Sequence, residues 1–172
     1  MIKRRFVLLL ALSLALSGCA ARTKNVTNLP TGVTQTQVQN WDTAVAKLHE
    51  IASTVSTLRQ TVIGLNKTTY VNAQGQTEVV LPDGPNYASA LRAIGKIDQL
   101  QISAANYLQG VPKNWGGSTQ ATVNGYIVGI QQAITDLVNQ GTVGIKNSSS
   151  QSQVNQLIAN LSATAQLILN LT

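Results

Sequence analysis

Residues 36–66 read TQVQNWDTAVAKLHEIASTVSTLRQTVIGLN. Val38, Trp41, Val45, Leu48, Ala52, Val55, Leu58, Val62 and Leu65 recur at steps of three and four. That period predicts an amphipathic helix of about 30 residues, roughly 45 Å long. The seam is close to a heptad over its first half, which favours packing against other helices at a shallow angle. Thr34 or Thr36 is placed to cap the start.

Working outward, the pattern changes at residue 68. Thr69-Tyr70-Val71-Asn72 and Thr77-Glu78-Val79-Val80-Leu81 are β-prone and flank Ala73-Gln74-Gly75-Gln76, predicting a small β-hairpin over about 68–82. A two-stranded hairpin is marginal alone, so it has to lean on the helices or on a partner. Leu81-Pro82-Asp83-Gly84-Pro85 breaks the chain before a second helix near Asn86. Its apolar side is Tyr87, Leu91, Ile94, Ile97, Leu100 or Gln101, Ala104 and Leu108, and Gly110 and Pro112 stop it. A loop over 111–117 carries Trp115. Ser118 or Thr119 opens a third helix with Val123, Ile127, Ile130, Ile134, Leu137 and Val138 on one face, ended by Gly141 and Gly144. Ala121, Gly125, Gly129 and Ala133 form a small-residue ladder that predicts close helix packing. Residues 147–153 read as a polar linker, and a last helix from about Ser152 carries Val154, Leu157, Ile158, Leu161, Ala165, Ile168 and Leu171. The expectation is a mainly α, four-helix bundle-like domain over 36–172, with the hairpin inserted between its first and second helices.

Before the bundle, Lys3, Arg4 and Arg5 precede an apolar run from Phe6 to Gly18, the pattern of an export signal. Thirteen residues are too few for a permanent span, which takes roughly 20. From the residues alone, the run fits either an ordinary signal peptide or one that prepares the cysteine behind it. Leu16-Ser17-Gly18-Cys19 resembles the lipobox of bacterial lipoproteins. The resemblance covers about the first 20 residues. It implies cleavage between Gly18 and Cys19, a diacylglycerol on Cys19 and acylation of the new amino terminus. Stable anchoring takes two or more chains, which such a modification supplies. Cys19 is the only cysteine, so no intramolecular disulfide can form. By analogy with the family's sorting rule, Ala20 after the cysteine points to the outer membrane, with the domain in the periplasm. Residues 19–35, rich in Thr and Asn with Pro30 and Gly32, read as a lipidated flexible tether that holds the domain roughly 20 Å from the lipid.

The formal charge of +6 falls to +3 once residues 1–18 are removed. The remaining bases are scattered apart from Arg22 and Lys24 beside the anchor, so there is no basic stripe for nucleic acid. Ser, Thr, Asn and Gln supply 59 of the 154 residues from Cys19 onward, giving a surface that is polar without being charged. His49 is the only histidine and reads as a surface or boundary residue. The six carboxylates are dispersed, no Gly-x-Ser-x-Gly elbow exists, and no lysine follows Gly116-Gly117-Ser118-Thr119 as a phosphate loop requires. Neither a metal set nor a cofactor is expected. These features point to a non-catalytic, lipid-anchored envelope protein, tied to the membrane through Cys19, whose bundle acts as a structural or protein-binding module for an envelope partner. Trp115, in its Pro/Gly loop, and Tyr70, on the hairpin, are the candidate contact residues; Trp115 equally fits a plug at the bundle's end. A carrier of a small apolar molecule or lipid, a phage-encoded envelope inhibitor or exclusion lipoprotein, and an envelope hydrolase are the alternatives.

Overall fold

The computed structural model describes residue 29 and residues 31–172. The signal run, Gly18, Cys19 and most of the expected tether lie outside these described residues. The chain forms α1 (Gln35–Lys67), a hairpin of β1 (Thr69–Val71) and β2 (Thr77–Val79), α2 (Pro85–Gln109), α3 (Gly117–Asp136) and α4 (Ser148–Leu169). A π turn over Leu137–Gly141 and a 3-10 turn over Thr142–Gly144 link α3 to α4. The expected four-helix architecture with its inserted hairpin is therefore the observed one.

Side-chain caps open α1 and α4, a proline opens α2, and α3 starts at Gly117, just before the expected Ser118 or Thr119, with no side-chain cap. Thr34 and Gln37 make a capping box: the Gln37 N–H donates to Thr34 Oγ1 at 3.2 Å, and the Thr34 N–H donates to Gln37 Oε1 at 2.8 Å. α2 starts on Pro85, whose fixed φ suits the first helical position. Asn147 caps α4 by accepting from the Ser150 N–H at 3.0 Å. That cap corrects the expected linker: residues 148–153 are the first turns of α4, because a side-chain acceptor at 147 lets a serine run continue as helix.

The helices pack as a closed ring in which α1 touches α2 and α4, and α3 touches α2 and α4. Successive helices are antiparallel. The start of α1 reaches the end of α4, where Asn40 donates to the Thr172 carbonyl, and Gln120 at the start of α3 donates to the Leu171 carbonyl at 2.7 Å. The seam of every helix alternates steps of four and three. In α1 it runs Ala44, Leu48, Ile51, Val55, Leu58, Val62, Leu65, and in α2 Ala90, Ile94, Ile97, Gln101, Ala104, Leu108. In α3 it runs Val123, Ile127, Ile130, Ile134, continuing to Leu137, and in α4 Val154, Ile158, Leu161, Ala165, Ile168. The heptad thus extends through α1 rather than fading after its first half. Val45 and Ala52 flank the seam, half-buried, and Ala44 and Ile51 occupy it.

The small-residue ladder of α3 divides. Ala133 is buried, and a Cβ on Gly129 would come within 3.0 Å of Leu100 of α2. Gly125 and Ala121 face outward. The close approaches that only glycine permits are at Gly144, where a Cβ would lie 2.8 Å from Asn86, and at Gly141, where it would lie 2.8 Å from Leu137 and 3.0 Å from the Ala90 backbone. Gly141→Ala is therefore expected to cost about 1–3 kcal/mol by forcing those neighbours apart. Gly125→Ala, into open space mid-helix, is expected to stabilise by about 0.5–1 kcal/mol. Chemical denaturation of the two variants checks both signs; equal shifts would remove the packing account of Gly141.

Candidate functional site

The two ends of the bundle differ in construction. At the Thr34 end the loop after α2 folds back over α1. Lys113 forms an ion pair with Asp42 at 2.9 Å, and its ammonium sits 4.9 Å from the centre of the Trp41 ring. The Trp115 N–H donates to the Gln37 carbonyl at 3.2 Å, and its indole N–H donates to the Leu171 carbonyl at 3.3 Å. The Trp115 ring is only 1% exposed. Of the two readings of Trp115, an outward contact residue and a plug at the bundle's end, this burial fits the plug: the indole fills the space where α1, the 110–116 loop and the end of α4 converge. A large ring with one donor suits that place, since the carbonyl at a frayed helix end needs a partner.

At the opposite end, Tyr70 lies across from Glu78 in the antiparallel hairpin, with Thr69 opposite Val79 and Val71 opposite Thr77. Asn72 organises the turn: its Oδ1 accepts from the Gln74 and Gln76 N–H groups at 3.0 and 2.9 Å, and Gly75 takes the positive φ of 76°. The hairpin is rooted rather than free. Val80 and Leu81, directly after β2, are buried in the core, and the Leu81 N–H donates to the Leu65 carbonyl at 3.2 Å. The Lys146 N–H donates to the Val80 carbonyl at 2.9 Å, while Lys146 Nζ pairs with Glu78 at 2.7 Å. Lys146 first, and Asn72 after it, hold the Glu78 carboxyl below its ordinary value; Glu78 in turn raises Lys146.

Tyr70 is half-buried against the core, so the hairpin's outward apolar side chain is its neighbour Val71, 66% exposed. Val143, in the 3-10 turn, is 69% exposed. Sequence reasoning missed Val143, because two flanking glycines read simply as a helix stop. It also missed Lys146, whose partner is 68 residues away. Gly18 and Cys19 lie outside the described residues.

Each of the six carboxylates has an ion-pair or hydrogen-bond partner. Asp42, Glu50, Asp98 and Glu78 pair with Lys113, Lys47, Arg59 and Lys146, while Asp83 accepts from Asn66 and Asp136 from Gln132. His49 is exposed on α1. Among the described residues, no three His, Cys, Asp or Glu side chains cluster, and no helix is long and apolar enough to cross a membrane. No family model, curated protein or solved structure matches the chain.

Two outcomes follow from these ends. Trp115→Ala is expected to lower stability by about 3–5 kcal/mol in denaturant titration, as removal of a buried ring does. Loss of partner binding at unchanged stability would restore the contact reading. For the hairpin, the Glu78 contribution is present above the unfolded carboxylate pKa and lost as pH falls through the lower folded value. The Lys146 contribution is present below the unfolded lysine pKa and lost as pH rises through the higher folded value. The hairpin is therefore most ordered between those limits. NMR shifts of Val71 and Val80 should move toward coil values in acid, and Lys146→Met should abolish that acid step.

Proposed function

We propose that the chain is a lipid-anchored envelope protein, held through Cys19, whose bundle is a non-catalytic module that presents its hairpin end to a protein partner. One observation carries the reading. Leu16-Ser17-Gly18-Cys19 precedes, by a short polar stretch, the bundle end that holds Thr34, whereas the hairpin lies at the other end. α1, with its 33 residues, sets these ends roughly 50 Å apart. An acyl anchor at Cys19 therefore leaves Val71 and Val143 on the side facing away from the lipid. The partnering of every carboxylate and the exposure of the single histidine support a binding role over an acid–base one. The interior is filled by side chains of the four seams, so nothing specific favours the apolar-carrier alternative.

The test is metabolic labelling with palmitate together with cell fractionation. The wild-type chain is expected in the membrane fraction with label. Cys19→Ala should carry none and leave that fraction. Label retained by Cys19→Ala would end the anchoring proposal. For the partner, a photo-crosslinker at Val71 should capture a defined protein, and one at exposed Gln99 on the flank of α2 should not. Equal capture from both positions would sink the hairpin-end assignment.

A further inference from the structure

A groove of about 280 Å³ opens between α2 and the end of α3. Its floor is made by two alanines, Ala93 and Ala133, which face each other where larger side chains would close it. Ser89, Arg92 and Lys96 form one rim, at spacings of three and four that set them in a stripe along α2. Asp136 and Gln140 form the other rim, across the start of the π turn. The π turn extends α3 at its C-terminal end and carries Gln140 onto this rim.

The charges on this groove are what set it apart. Four of the protein's carboxylates each neutralise one cation elsewhere on the bundle. Among the described residues, Arg92 and Lys96 have no ion-pair partner, although they lie one helical turn apart and repel each other. Arg92 donates one guanidinium N–H to Ser89 Oγ at 2.8 Å, which orients the group along the rim and leaves its other donors for a ligand. Facing them, Asp136 accepts only from Gln132, at 3.3 Å. Two cations on one wall outweigh the single carboxylate on the other, so the groove draws an anionic group and repels a purely cationic guest, while Asp136 rewards an anion that also carries an ammonium. The groove matches a molecule carrying both charges.

We propose that this groove binds a small soluble zwitterion, with Arg92 and Lys96 taking its phosphate or carboxylate, Asp136 its ammonium, and Gln140 its remaining polar atoms. The site stands independently of the Cys19 anchor and of the hairpin.

The test is titration of the full chain, in a nonionic detergent, followed by backbone amide NMR. The probes are phosphoethanolamine, glycylglycine and inorganic phosphate. Phosphoethanolamine or glycylglycine should shift the amides of residues 89–96 and 133–140 saturably, and the tighter of the two identifies the anionic group as phosphate or carboxylate. Arg92→Gln combined with Lys96→Gln should weaken that binding at least tenfold with unchanged melting temperature. Asp136→Asn should weaken the zwitterions and strengthen inorganic phosphate, a reversal that a merely structural role would not produce. The proposal is overturned by non-saturating shifts for both zwitterions, by identical curves for wild type and the double variant, or by inorganic phosphate binding the wild type as tightly as either zwitterion.

Discussion

Everything in this fold depends on burying four apolar seams at once. The helices are poor helices by composition: α1 alone holds Thr36, Thr43, Thr54, Thr57 and Thr61 with Asn40 and Ser53, and none of these favours a helix interior. Several satisfy themselves locally instead, with Thr43, Thr54, Thr57 and Thr61 each donating to the carbonyl four residues back. That geometry is tolerated in a helix but does not drive one. Exposed ion pairs add little, since each is worth at most about 1 kcal/mol. What remains is the seam. A fully buried Leu or Ile contributes about 1.5–3 kcal/mol, and every helix places such residues in its seam. Helices of this kind are formed by their neighbours.

That dependence explains which parts of the structure were legible. The step of three and four is visible without any partner, so the number of helices, their order and the inserted hairpin could be read directly. The rotation of each helix could not be read as finely. In α1, Val45 and Ala52 lie one position round from Ala44 and Ile51, and only the arrangement of α2 and α4 decides which pair faces inward. Trp115 shows the same limit. A tryptophan between Pro112 and Gly116 fits a contact residue and a plug equally, and only the carbonyl at the end of α4, in need of a donor, favours the plug. The start of α4 was misjudged because a serine run has no apolar period, and its helicity rests on the single acceptor of Asn147. The groove on α2 and α3 was invisible in the sequence because Ala93 and Ala133 mean nothing until they face each other.

The closure of the two ends separates what the fold needs from what it carries. At the Thr34 end, Gln37, Trp115, Gln120 and Leu171 join three distant segments through backbone carbonyls. At the other end, Leu65, Val80, Leu81 and Lys146 do the same. Val80 and Leu81 belong to the core, and their burial is sufficient reason for the chain to pass there. Residues 71–77 are different, because none of them is buried and no core side chain depends on them. The chain builds a stable Asx turn and holds it in place with an ion pair from 68 residues away. A hairpin whose tip, beyond Tyr70, adds nothing to the core and is still tied down is difficult to attribute to stability alone. Under the proposed anchoring through Cys19, its position at the end opposite Thr34 is where the bundle would meet a second protein.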